Sequence, residues 1–169
     1  FMEENQVRIT AQEANRHLVI TGNGVVFLPP DRDGTKFYDL NSYVVQRDGV
    51  GTVVTLITKD VLLKRTLPPE AYNLVPDKKD DDEVEVYTKC DLVEDNYECF
   101  SEVDGVRIAG SEQTYPVDKF PYIVLRMTKG SNEDYGRSIV EEYLGDLTSL
   151  EKLSKALVTM ASISARTLY

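Results

Sequence analysis

The stretch from Ser138 to Leu168 constrains the fold of this 169-residue chain most, because it has the pattern of one long amphipathic helix. Ser138 followed three residues later by Glu141 forms a capping box, and the acids of the first turn suit the positive end of the helix dipole. A continuous helix would be about 45 Å long at 1.5 Å per residue. Gly145 interrupts the pattern, and we expect a kink there.

The predicted helix has a wide apolar side. At about 100° per residue, most of its large apolar residues fall on two adjacent faces. The predicted subunit-interface residues are Ile139, Tyr143, Leu147, Leu150, Leu153, Leu157 and Ala161. Lone helices longer than 25 residues usually belong to bundles or coiled coils, so we expect the partners of this helix to be other chains. The alternative is a long helix that folds back on its own domain.

The part of the chain before this helix alternates short β-branched runs with turn signals. The predicted strands are residues 25–28, 36–38, 43–47, 52–58, 84–89, 97–103, 106–108 and 122–127. A short helix is predicted over Pro68–Leu74, a solvated loop over Lys78–Glu83, and an N-terminal helix over Ala11–Ile20.

These elements predict an α+β fold with three parts. Residues 1–23 form an N-terminal helical segment, residues 24–130 a small antiparallel β-barrel or sandwich, and residues 131–169 the long helix. An apolar content of 41% suits one main core. No apolar run approaches the roughly 18 to 20 residues that span a bilayer, so we expect no membrane role.

The formal net charge of −10 argues against nucleic-acid binding through wholesale phosphate neutralisation. The N-terminus has no basic region followed by an apolar stretch, and we expect no secretory signal. Neither observation selects a function by itself.

Cys90 and Cys99 lie symmetrically about Glu94-Asp95, so a tight hairpin would place the two sulfurs opposite each other. The geometry of such a hairpin would allow a disulfide. Two cysteines without a secretion signal are more often free thiols, and two cannot supply the four ligands of a structural zinc site. We therefore expect two reduced cysteines in the core.

The sequence contains no catalytic pattern. His17 is the single histidine, which leaves no histidine pair for a metal and no nucleophile elbow to accompany it. Asp31-Arg32-Asp33-Gly34 opens like a calcium loop, but its glycine comes two positions too early, so we interpret it as a turn. We expect no enzyme activity, no metal and no cofactor.

Several segments resemble the portal family, the head-to-tail connectors of short-tailed bacteriophages. They are Leu18-Val-Ile-Thr-Gly-Asn-Gly-Val-Val-Phe-Leu28, Ser42-Tyr-Val-Val-Gln-Arg-Asp48, Val103-Asp-Gly-Val106, Glu133-Asp-Tyr-Gly-Arg-Ser138, Glu141-Glu-Tyr-Leu-Gly-Asp-Leu147 and Ser149-Leu-Glu151. The resemblance implies a dodecameric ring at a capsid vertex of the virion, assembled in the host cytoplasm. Its channel passes double-stranded DNA during packaging and ejection, and large terminase, tail adaptor and capsid or scaffold protein dock on it.

On that pattern, the segment from Gly24 to Thr128 resembles the β-rich wing and the helix from Ser138 resembles a stem helix beside the channel. The polar stripe of the helix would then carry Lys152, Lys155 and Arg166 either toward the channel or toward acids of a neighbouring subunit. Nothing resembles the clip, second stem helix, tunnel loop or crown, so this segment alone should not form a working channel. The alternative function is an acidic binding module that recognises a peptide or oligosaccharide and dimerises through its helix.

Overall fold

The computed structural model of the chain describes residues 7–30, 34–130 and 133–166. Of the predicted turn Asp31-Arg32-Asp33-Gly34, all but Gly34 lies outside the described residues. The helices are α1 (Val7–Thr21), α2 (Pro69–Tyr72), α3 (Ile139–Glu142) and α4 (Leu144–Arg166). The strands are β1 (Asn23–Phe27), β2 (Lys36–Tyr38), β3 (Tyr43–Arg47), β4 (Val53–Leu63), β5 (Glu83–Val93), β6 (Asn96–Val103), β7 (Val106–Arg107), β8 (Gln113–Pro116) and β9 (Tyr122–Arg126).

The strands form two antiparallel sheets. The smaller has the order β2-β1-β9, and the larger has the order β3-β4-β5-β6-β7 with β8 also paired to β6. The α+β class is confirmed, and of the two predicted arrangements, barrel or sandwich, the barrel is excluded because within the described residues neither sheet closes on itself. A barrel needs hydrogen-bonded strands around its whole circumference, and here β3 ends the larger sheet as an edge strand.

One hydrophobic core holds the two sheets together. Val25 and Tyr38 of the smaller sheet pack in one cluster with Val45, Leu56 and Tyr97 of the larger sheet. Each fully buried aliphatic or aromatic side chain of this kind contributes about 1.5 to 3 kcal/mol relative to an exposed one. The sheets therefore form a sandwich.

A second core lies under the α2 excursion, at the other end of the β5–β6 hairpin. Its buried members are Leu67, Ala71, Val75, Val84, Val86, Val103 and Ile108. The predicted helix is confirmed over Pro69–Tyr72, with proline in its first turn. The predicted solvated loop is confirmed up to Asp82, after which β5 begins.

Strand lengths differ from the prediction where pairing extends them. β4 continues five residues past the predicted end because Leu63 pairs with Glu83 at the start of β5. β8 was not predicted; its residues are mostly polar, and it gains its order from pairing with β6. The Asp104-Gly105 hairpin is confirmed, with both residues at positive φ, 50° and 77°.

The helices also differ from the prediction at their ends. α1 begins before the predicted Ala11 and ends at Thr21. Gly22 follows with a φ of +76°, and its N–H donates to the Leu18 carbonyl, which is the predicted helix stop. A continuous helix from Ser138 is wrong, because α3 ends after one turn and Tyr143 separates it from α4. The break lies two residues before the kink expected at Gly145, and the predicted end at Leu168 lies outside the described residues.

No helix in the described part of the chain has both the length and the apolar character needed to cross a membrane.

The expectation of reduced cysteines is wrong in this structure. Cys90 and Cys99 face each other in the β5–β6 ladder, as the hairpin symmetry predicted, and their sulfurs are joined in a disulfide. Their Cα atoms are 4.1 Å apart. The sequence argument rested on cellular compartment, whereas the directly opposed register places the two sulfurs within bonding reach. Both residues are buried in the core between the sheets.

Reduction of this bridge should lower stability. Closing a loop of this length contributes roughly 2 to 3 kcal/mol through the unfolded state, so we expect dithiothreitol to lower the melting temperature of the chain measured by differential scanning calorimetry. The matched control is the Cys90→Ala/Cys99→Ala variant, whose melting temperature should not respond to dithiothreitol. An equal response of the two proteins to the reductant would contradict the prediction.

Candidate assembly site: the C-terminal helix and its junction

The C-terminal helix presents its apolar residues to solvent. Every side chain described from residue 141 to residue 165 is exposed. Leu150 is 62% exposed and Leu157 is 67% exposed, values far outside those of core leucines. A contiguous exposed apolar surface of this kind marks an interaction site.

The predicted interface residues divide at the helix break. Leu147, Leu150, Leu157 and Ala161 fall within about 80° of arc on α4, and Leu153 lies about 40° beyond them. Ile139 and Tyr143 precede α4, in α3 and at the break, so the structure does not align them with the face of α4.

Two further apolar side chains belong to this surface. Val158 and Met160 are 71% and 66% exposed and extend the apolar sector of α4 to about 160°. Neither residue is among the predicted interface residues. The same periodicity of 100° per residue places Met160 at the edge of this apolar face, so the sequence alone could have identified it.

The polar stripe of α4 carries both positively and negatively charged side chains. Lys155 pairs with Glu151, one turn earlier on the same helix. This partner is neither of the two predicted ones, the channel and the acids of a neighbouring subunit. An exposed pair at this spacing contributes about 0.3 to 0.5 kcal/mol. Lys152 is exposed on the side opposite Leu150. Arg166 ends α4, and its side chain lies outside the described residues.

A buried, reciprocal pair of hydrogen bonds attaches the start of α3 to the smaller sheet. The Asn23 side-chain amide donates to the Gly136 carbonyl at 2.7 Å, and the Gly136 N–H donates to the Asn23 Oδ1 at 2.6 Å. One asparagine thus satisfies both backbone groups of a buried glycine, which would otherwise lose their hydrogen bonds to water. The two residues are 113 positions apart in the chain.

Two glycines let the chain segments approach at this junction. A Cβ on Gly22 would lie 2.5 Å from the Arg137 carbonyl carbon, and a Cβ on Gly136 would lie 3.0 Å from the Gly22 carbonyl oxygen. Ser138, which is buried, then caps α3 by accepting a hydrogen bond from the Glu141 N–H at 2.9 Å. The predicted N-cap is therefore present, and it is fixed against the end of α1.

Arg47 ties the larger sheet to the same junction. Its guanidinium donates to the carbonyls of Gly51, Val124 and Asp134, at 2.9, 3.2 and 3.1 Å. Burial, followed by repulsion from Arg126, lowers the pKa of Arg47. The side chain thereby joins the β3–β4 turn, β9 of the smaller sheet and the segment that leads to α3.

The same segment covers the edge of the larger sheet. The Val45 N–H donates to the Tyr135 hydroxyl at 3.2 Å, and the Arg47 N–H donates to the Asp134 carboxylate at 2.7 Å. Tyr135 also packs against the Tyr43 ring, and burial raises the pKa of the Tyr43 phenol. Side chains therefore occupy N–H groups of β3 that an exposed edge strand would offer to another chain.

Three of the segments that resemble portal proteins meet at this junction. Residues 18–28 supply Gly22 and Asn23, residues 42–48 supply Arg47, and residues 133–138 supply the segment from Asp134 to Ser138. The contact among these three segments is not visible in the sequence. Their glycines and asparagine were a signal of close backbone packing, but the partner of each could not be read from local patterns.

The contacts described at the junction have a structural role. The described residues contain no group of three or more His, Cys, Asp or Glu side chains that could hold a metal. His17 packs against the Phe37 ring, with ring centroids 5.0 Å apart. What the arrangement can do is hold an exposed apolar helix at a defined place on a two-sheet domain.

Comparison with known proteins gives consistent matches. A family model described as bacteriophage head to tail connecting protein matches residues 1–169. The portal protein of Escherichia phage T7 is 42% identical over 176 residues, and that of Enterobacteria phage T3 is 43% identical over 176 residues. Each alignment covers 98% of this chain and 33% of the relative. The portal protein of Pseudomonas phage phiKMV is 32% identical over 148 residues, covering 83% of this chain. The chain thus spans about a third of the length of these curated relatives.

Loss of the Asn23 amide should destabilise the junction. Asn23→Leu leaves the N–H and C=O of Gly136 buried without partners, which we expect to cost roughly 2 to 4 kcal/mol in the free energy of unfolding measured by urea titration. Asn41→Leu is the matched control, because Asn41 is exposed and should change stability by less than about 0.5 kcal/mol. Equal losses in the two variants would show that the reciprocal bonds are not important.

Proposed function

The chain belongs to the family of bacteriophage head-to-tail connecting proteins, and we propose that it is a segment of a portal subunit. Several copies of the full-length subunit form a ring at one vertex of the capsid, with a dodecamer as the expected number. The ring encloses the channel through which double-stranded DNA enters during packaging and leaves during ejection. The function is structural and requires no catalytic group of this segment.

The exposed apolar face of α4 is the observation that carries this proposal. Large apolar side chains remain in water along the whole helix, and burying each one would contribute about 1.5 to 3 kcal/mol. Copies that meet through two different patches form a head-to-tail contact, and such contacts close into rings when the rotation between copies allows it. α4 of one copy against a neighbour supplies one of these patches.

The junction would set the geometry of the ring. The angle between neighbouring subunits depends on where α4 leaves the sheets, and Asn23, Gly136 and Arg47 fix the start of that path. The two-sheet domain would be the wing, and α4 would be a stem helix beside the channel. The interface residues proposed on this basis are Ile139, Tyr143, Leu147, Leu150, Leu153, Leu157 and Ala161.

The polar stripe would face away from the buried interface. Lys152, Lys155 and Arg166 would then border the channel, and Lys155 is already paired with Glu151 of the same helix. With a net charge of −10, the segment would let DNA pass along the channel without binding it tightly. Large terminase, tail adaptor and capsid or scaffold protein are the proposed docking partners. The proposed locations are the host cytoplasm during assembly and the virion vertex afterwards.

The size of the full-length protein tests the proposal directly. We expect the full-length chain at micromolar concentration to sediment in analytical ultracentrifugation as one large closed assembly, about twelve times the subunit mass by family resemblance. A full-length protein that sediments as a monomer or dimer would instead support an acidic binding module with a dimerising helix.

A charge on the apolar face should prevent assembly. Leu150→Asp or Leu157→Asp would bury a carboxylate between subunits, a loss of several kcal/mol per interface, so we expect the full-length variants to sediment as small species. Thr159→Asp is the matched control, because Thr159 is exposed on the opposite side of the same helix. If both leucine variants formed normal rings, α4 would not be part of the subunit interface.

A further inference from the structure

α3 is held firmly to the two sheets. Ser138 at its N-cap is buried, Gly136 is bonded to Asn23 on both of its backbone groups, and α3 itself packs against α1. Thr128 and Arg137 add a two-bond antiparallel bridge between the end of the smaller sheet and the start of α3. The direction of α3 is therefore determined by the domain.

The helical backbone is interrupted directly after α3. Tyr143 has φ −102° and ψ 12°, outside the helical region, and its N–H donates to the carbonyls of Ile139 and Glu141 as α3 closes. The hydrogen bonding of α4 starts again from the same residue, with the Leu147 N–H donating to the Tyr143 carbonyl at 3.0 Å. Tyr143 thus ends one helix and begins the next.

The residues around the break do little to stiffen it. Gly145 lies in the first turn of α4, where it lowers helix stability relative to alanine. Apart from its chain neighbours and the adjacent helix backbone, nothing lies within 4 Å of the position of its missing Cβ. Tyr143 is 56% exposed and Leu144 is also 56% exposed. The side chains from residue 141 to residue 165 are exposed, so packing within the described part of the chain does not fix the direction of α4.

We propose that residues 143–145 are a hinge, about which α4 changes its inclination to the sheets while α3 stays in place. Sharp bends in helices arise at identifiable backbone features, and here a non-helical Tyr143 is followed two residues later by an exposed glycine. The hinge does not depend on the proposed ring, because it follows from the contrast between a fixed α3 and an uncovered α4. In an assembly, it would let the helix follow a neighbour while the two-sheet domain keeps its position.

Distance distributions between spin labels test the hinge in the full-length protein. Nitroxides on Gln46→Cys and Thr159→Cys span the break, whereas nitroxides on Gln46→Cys and Glu142→Cys span the junction alone. All three positions are exposed, and Thr159 lies opposite the apolar face of α4. Within this segment Cys90 and Cys99 are bonded to each other and do not compete with the introduced thiols; any cysteine elsewhere in the full-length chain is replaced by serine. Labelled subunits are diluted about tenfold with unlabelled chain, so that pulsed electron paramagnetic resonance reads distances within one subunit.

We expect the distribution across the break to be at least twice as wide as the distribution across the junction. Gly145→Ala should narrow it, because alanine favours the helical state roughly fivefold over glycine, whereas Ser162→Ala, a matched change far along α4, should leave the width unchanged. Equal widths for the two label pairs, or a width that Gly145→Ala does not alter, would overturn the hinge.

Sedimentation of the same samples separates the two proposals. Because neighbouring subunits would hold α4 in a ring, the widths are compared in the full-length Leu150→Asp protein, which is expected not to assemble. A narrow distribution in these separate subunits overturns the hinge alone, whereas a parent protein that forms no ring overturns the ring alone. Thermal melting of the Gly145→Ala protein, expected at or above the parent temperature, verifies that a narrowed distribution comes from a folded chain.

Discussion

The structure depends on the burial of one glycine against another chain segment, with its hydrogen bonds replaced. A Cβ on Gly22 would lie 2.5 Å from the Arg137 carbonyl carbon, and a Cβ on Gly136 would lie 2.7 Å from the Arg126 Cβ, so the chain segments can approach only through glycines. This approach removes the backbone groups of Gly136 from water. Such burial is tolerated only when the donor and the acceptor find partners, and the single amide of Asn23 supplies both. The stop of α1, the start of β1 and the cap of α3 all lie within two residues of this contact, so the helix direction and the sandwich are set together.

Arg47 extends the same constraint to the larger sheet. In a chain with an excess of acids, this arginine uses its guanidinium on three backbone carbonyls. Carbonyls lie at the edges of both sheets and on the segment before α3, and a planar group with several donors can bridge them where an apolar side chain could not. Asp134 and Tyr135 complete the arrangement by covering N–H groups of β3, which helps to explain why two open sheets can pack without either becoming a barrel.

The sequence predicted what local patterns determine. Alternating apolar and polar residues, together with turn dipeptides, predicted most of the strands, and β3 matches its prediction residue for residue. The junction could not be predicted, because Asn23 and Gly136 are far apart in the chain and neither shows its partner by spacing. The cysteine pair lies between these cases: hairpin symmetry gave the register of Cys90 and Cys99, but an argument from compartment gave the wrong oxidation state for this structure. The apolar face of α4 was readable from periodicity, while the break at Tyr143 was not, because tyrosine carries no helix-ending signal.

The exposure of α4 links its folding to its environment. Helices in water gain little from propensity alone and depend on burying an apolar face, yet every described side chain of α4 is exposed in the isolated segment. Packing within this chain segment therefore contributes little to the stability of α4, and in the proposed ring neighbouring subunits would supply the missing contacts. The junction at Gly136 needs no such help, since its contacts are internal and saturated. Contacts within the domain thus order the start of α3, whereas neighbouring subunits of the proposed ring would order α4, and Tyr143 lies between the two.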